Sequence, residues 1–189
     1  MNTNASQSRW SVLGKGLRHA GLGAVLAGAA IGSVLAADAR PPAGASVKSD
    51  RIEVGYRDSA KLSEIELYPR GGTEFIDALS KYLLAQAERV LPAGQRLSVT
   101  MTDVLLAGQF EPWRPGRLSD VRIVKDTTPP RIDLTFRLES AQGAVLKEGE
   151  RKLRDSNFLS HPRHRGETLG YEKNLIDDWL RKEIRPARR

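Results

Sequence analysis

Two stretches of this chain alternate apolar and polar residues so strictly that half-buried β-strands are the natural home for both. Between Arg96 and Val104, Leu97, Val99 and Met101 interleave with Ser98, Thr100 and Thr102. Further on, Ile132, Leu134, Phe136 and Leu138 interleave with Asp133, Thr135, Arg137 and Glu139. Successive side chains of a strand point to opposite faces, so each run belongs in a sheet with one face buried and one in water. The buried face needs a cover.

Two segments have the period to supply it. Phe75, Ile76, Leu79, Tyr82, Leu83, Ala87 and Val90 fall on one helical stripe, with Thr73 as a candidate N-cap, Glu74 and Asp77 in the first turn, and Pro92 and Gly94 as the stop. Tyr171, Leu175, Ile176, Trp179, Leu180 and Ile184 form a second stripe, and Asp177 with Arg181 and Asp178 with Lys182 are spaced to pair on its outer side. Ile52, Val54 and Tyr56 begin the ordered structure as a strand after Arg51, and Val121 and Ile123 suggest a short one. From Ala144 to Leu153 a weaker strand carries Lys147, Glu148, Glu150, Arg151 and Lys152 on both faces, which suits a sheet edge. The expected fold is α+β: a mainly antiparallel sheet of about five strands with two amphipathic helices packed on one face.

Residues 1–36 hold Arg9, Lys15 and Arg18, no acidic residue, and then an Ala, Gly, Leu and Val run from Ala20 to Ala36. That order reads as a secretory signal peptide, with small residues allowing a cut after Ala36 or after Ala39. The run is too short and too rich in Gly and Ala for a membrane anchor. A single arginine at Ser8, Arg9, Trp10 favours the general secretory route over twin-arginine export. The remainder divides into a flexible leader (37–50, with Pro41, Pro42 and Gly44), one domain (51–184) and a basic tail (185–189). The expected location is periplasmic or secreted, with no membrane span left after cleavage. The chain has no cysteine, which excludes lipoprotein anchoring, disulfides and thiolate chemistry.

Thirty basic and 23 acidic side chains give +7, and removal of the three basic residues in the signal leaves +4. So mild an excess permits weak attraction to anionic envelope polymers and gives no reason to expect a nucleic-acid partner. Sequence patterns for serine hydrolases, penicillin-binding sites, zinc proteases and phosphate loops do not occur. No cofactor is expected. His161, His164 and Glu167 are close in sequence, but Pro162 opposes helical spacing and Arg163 and Arg165 oppose a cation, so a solvated basic loop is expected rather than a metal site.

Two sets of residues remain as candidates. Asp103, Asp120, Asp126 and Asp133 recur through the central segments, and two of them could converge as an acid and base pair if their strands are neighbours; otherwise they cap turns or face solvent. The loop carrying Phe110, Trp113, Arg114 and Arg117 places aromatic rings beside guanidinium groups, suited to sugars or to an anionic envelope component, unless Phe110 and Trp113 fold back as a lid on the core. These features favour a non-enzymatic binding or accessory domain of the envelope. A carboxylate-dependent hydrolase acting on envelope material is the alternative.

The run from Thr102 to Pro112, the segments Asp120–Asp126 and Pro129–Ile132, and Tyr171, Glu172, Lys173, Trp179 and Leu180 resemble the exported proteobacterial proteins of domain-of-unknown-function family 3016. The similarity extends over residues 51–180. Members often have an acidic residue where this chain has Leu105. The resemblance implies a Gram-negative envelope location and a single domain, and brings with it no activity and no catalytic residue.

Overall fold

The computed structural model of the chain describes residues 46–69, 72–161, 164 and 166–185. The segment read as a signal peptide, both of its cleavage sites, most of the leader and the tail from residue 186 lie outside the described residues. The elements are β1 (Ser46–Lys48), β2 (Ile52–Tyr56), α1 (Ser63–Leu67), α2 (Glu74–Val90), β3 (Arg96–Leu105), β4 (Gln109–Phe110), β5 (Arg122–Ile123), β6 (Arg131–Glu139), β7 (Val145–Arg154) and α3 (Gly170–Glu183). Five strands form one sheet in the order β1-β2-β3-β6-β7. The fold is therefore α+β with a mostly antiparallel sheet; β2 and β3 make its one parallel pair, because α1 and α2 carry the chain back between them.

Alternation places the core as expected. Leu97 pairs with Leu138, Val99 with Phe136 and Met101 with Leu134, and all six side chains are buried. They share one cluster with Ile76, Leu79, Leu83 and Ala87 of α2 and Leu175, Ile176, Trp179 and Leu180 of α3. Thr73 stands at the N-cap of helix α2, though its side chain makes no capping bond, and the last turn closes when the Leu91 amide donates to the Ala87 carbonyl. The charged strand β7 lies at the sheet edge, where unpaired backbone is best guarded by charge.

Three expectations need correction. Ordered structure begins before Arg51: Ser46–Lys48 pairs with β2, with Ser46 opposite Gly55, and three residues are too few to display an alternation. The short strand near Val121 does not join the main sheet, since Arg122 and Ile123 pair only with Gln109 and Phe110 as a separate ribbon. Among the described residues there are three α-helices rather than two; α1 is only five residues long, and it buries Glu64 instead of an apolar stripe.

The end of α3 is tied to the sheet edge by charge. Glu183 accepts from Arg151 Nε at 2.9 Å and also pairs with Lys147, and these contacts, Arg151 first, hold its carboxyl down at about 2. A depressed carboxyl stabilises the fold above its ordinary value of 4.5 and loses that contribution as pH falls through the depressed one. Glu183→Gln should therefore lower the melting temperature at pH 7 by about 2 to 4 °C, the effect of a partly exposed pair worth up to about 1 kcal/mol. The gap to wild type should close in melts at pH 2, and a gap unaffected by pH would show that the pairs contribute nothing.

Candidate functional site

A glutamate almost never loses its water without a partner, yet Glu64, Glu111 and Glu172 are each no more than 2% exposed. All three hold the loops that follow β3. Glu64 on α1 accepts from the Leu106 amide at 3.0 Å, and Glu172 in the first turn of α3 accepts from the Ala107 amide at 2.7 Å. Arg122 bonds Glu64 and donates to the Gly108 carbonyl at 2.9 Å. Its guanidinium lies 4.8 Å from the ring centroids of both Tyr68 and Phe110. Gly108 completes the arrangement: at φ +82°, with the Ile123 carbonyl 2.6 Å from where a Cβ would stand, no larger residue fits.

Burial pushes the carboxyls of Glu64 and Glu172 up. The amides and Arg122 act against burial at both sites, while Glu172 adds a like charge near Glu64. A raised carboxyl can serve as a general acid, but only where substrate reaches it. These two are sealed and spend their oxygens on main-chain amides and, at Glu64, on Arg122, so their work is to fix residues 106–108.

The aspartates named from sequence separate into two groups. Asp103 and Asp133 are direct partners across the β3–β6 ladder. Asp103 accepts from the Ser63 amide at 2.7 Å and its hydroxyl at 2.8 Å and lies 3.5 Å from Arg131, while Asp133 pairs with Arg154 at 2.6 Å. Like charges opposite one another in a ladder repel, and here each has its own arginine. Asp120, at the end of a short 3-10 turn, and Asp126, in the turn after β5, are exposed and do not join them.

The aromatic-basic loop also divides. Phe110 is half-buried, with its ring 5.2 Å edge-to-face from Tyr68, whereas Trp113 is 73% exposed. Two residues before Trp113 in the chain, the sealed Glu111 grips both Arg114 and Lys125, and these two contacts, Lys125 first, lower its carboxyl. Arg117 is exposed. Four of the eight exposed large hydrophobic residues among the described ones, Trp113, Leu118, Val121 and Val124, lie in this one stretch. Sequence reading passed over Glu111, Tyr68 and Arg122; the one local signal was an acid set between Phe110 and Pro112 in a loop otherwise apolar and basic.

The histidines face different partners, His161 binding Asp155 at 2.8 Å. His164 Nε2 lies 2.9 Å from the Tyr82 hydroxyl and 3.0 Å from Asp177, to which Tyr82 also donates at 2.8 Å, and its Nδ1 lies 3.2 Å from Glu167. Asp177, expected on the outer side of α3, thus turns inward, and Arg181 pairs with Asp178 instead. Gly170 lets α3 start against this cluster, because the His164 carbonyl stands 2.3 Å from where a Cβ would be. The remaining basic residues of that stretch, Arg163 and Arg165, lie outside the described residues.

Fold and site together define a small α+β domain in which buried carboxylates of α1 and α3 bond the loop after β3, and a third ties together Arg114 and Lys125 beside the exposed Trp113. Among the described residues no helix is long and apolar enough to cross a membrane. Residues 50–182 match the family model described as "Protein of unknown function (DUF3016)", and the chain belongs to that family. No curated protein and no solved structure matches the chain.

Proposed function

We propose that this protein is an exported, non-enzymatic binding domain of the Gram-negative envelope, and that the loop bearing Trp113, Arg114 and Arg117 contacts an anionic or sugar-containing envelope component. The observation that carries the reading is Trp113, 73% exposed on a loop whose Arg114 and Lys125 are held by the sealed Glu111. An indole kept in water is a standing cost, and a rigid scaffold presenting one is how binding residues are commonly displayed. Export draws its support from the basic-then-apolar order of residues 1–36. In the same reading α2 and α3 both cover the sheet face that carries Val99 and Phe136, leaving Thr100, Thr135 and Arg137 to the solvent side. A hydrolase would draw on Asp103 and Asp133, but the arginines and Ser63 already occupy those carboxylates.

Arg114 is unsuitable for a simple deletion, since its loss would leave the buried Glu111 with Lys125 alone. The test is therefore Trp113→Ala with Arg117→Ala, both exposed positions whose replacement should leave stability within about 0.5 kcal/mol of wild type. Co-sedimentation with isolated envelope fragments should fall on the order of tenfold. The protein recovered from the periplasm should begin at Ala37 or Arg40 by mass spectrometry. No binding by the parent, equal binding by the double variant, or an intact Met1 in the membrane fraction would each count against the proposal.

A further inference from the structure

Resting on that reading of the loop, we infer that its partner is met at a lipid bilayer surface, with Trp113, Leu118, Val121 and Val124 entering the boundary between headgroups and acyl chains. Sugar hydroxyls have no use for exposed Leu118, Val121 and Val124, which are 47%, 46% and 37% exposed. A bilayer boundary accepts all four, and it is where indole rings concentrate, with an apolar body on one side and an N–H on the wet side. The exposed Arg117 can keep its charge at the phosphates while its stem lies along lipid, whereas Arg114 and Lys125 are held by Glu111.

Charge decides what kind of docking this is. Residues 110–126 hold four cations, Arg114, Arg117, Arg122 and Lys125, against Glu111, Asp120 and Asp126. Arg122 is spent on the buried Glu64, and Asp120 and Asp126 are exposed. The accessible part of the loop is thus close to neutral, so a basic side chain can still meet a lipid phosphate while net charge supplies little of the attachment. Attachment should come from apolar insertion, so it should depend weakly on salt. Rigidity from Glu111 and from the Glu64 and Glu172 clamps spares the loop the ordering cost that a free segment pays on binding.

The experiment uses protein purified from cells expressing the full sequence, so that wild type and variants share whatever N-terminus the cell leaves. Vesicles of phosphatidylcholine and phosphatidylethanolamine, with and without phosphatidylglycerol, are titrated at low and moderate salt. Wild type should be half-bound at roughly millimolar lipid, weaker than a protein held by a full acyl chain. Its tryptophan emission should shift to the blue, and the shift should be absent from Trp113→Phe. Leu118→Glu with Val121→Glu, at two exposed sites that should leave the melting curve unchanged, should weaken binding by about tenfold or more. Lipid-free cell-wall glycan fragments form the separate arm. Binding to those fragments and not to vesicles would overturn the bilayer inference while leaving the proposed function standing. Vesicle binding unaffected by the Leu118 and Val121 changes would overturn the inference as well, and binding to neither vesicles nor envelope fragments would remove both.

Discussion

Trp179→Ala should lower the stability of this protein by about 3 to 5 kcal/mol, as truncation of a buried aromatic does. Trp179 is 3% exposed, its ring stands edge-to-face on Phe136 with centroids 5.5 Å apart, and it belongs to the cluster that joins α3 to the sheet. Its indole Nε1 is buried with no hydrogen-bond partner among the described residues. That unmet donor separates two variants. Trp179→Phe loses ring volume but also removes the unsatisfied N–H, so its cost should be only about 1 to 2 kcal/mol. Urea denaturation measures both, and Trp113→Ala at the exposed loop tip is the control expected to change nothing. A denaturation midpoint unmoved by Trp179→Ala would mean that this side chain does not hold the core.

The second large effect concerns Glu172. Glu172→Ala deletes the acceptor of the Ala107 amide and leaves a hole in a sealed place, at a cost of about 2 to 4 kcal/mol. Glu172→Gln keeps an acceptor oxygen, and its signature is in pH dependence. Burial raises this carboxyl above its ordinary 4.5, so the native protein keeps the proton after the unfolded chain has released it. The contribution is complete below 4.5 and is lost as pH rises through the raised value, so the charge weighs against the fold in that upper range. Glu172→Gln removes this loss. The stability difference between variant and wild type should therefore move in the variant's favour as pH rises from 4.5 toward 8. Parallel curves would show that Glu172 is ionised in the fold as readily as in the unfolded chain.

Both predictions rest on side chains whose roles the sequence announces to very different degrees. Trp179 was legible: it falls on a stripe with Leu175, Ile176 and Leu180, and a helical period is a local property that survives without knowledge of the rest of the chain. The same holds for β3 and β6, whose alternation set both their burial and the face each residue takes. Asp103 and Asp133 sat on strands that could be recognised, but their meeting depended on a pairing register that no local pattern encodes.

Glu172 was not legible as a clamp, nor were Glu64 and Glu111. An acid in the first turn of a helix normally reads as dipole compensation at the surface, and Glu172 occupies such a position in α3. What buries it is the Ala107 amide, 65 residues earlier, and what neutralises Glu64 is Arg122, 58 residues later. Burial of a charge is decided by partners brought from a distance, so it becomes visible only in the assembled fold. β1 and the parallel pairing of β2 with β3 belong to the same category, because backbone hydrogen bonding to a neighbouring strand leaves little trace in three residues of sequence. The sequence alone determined the periods, and so the elements and their buried faces; the tertiary structure decided which strands meet, which charges are sealed, and that Trp113 faces water while Phe110 packs against Tyr68 and Arg122.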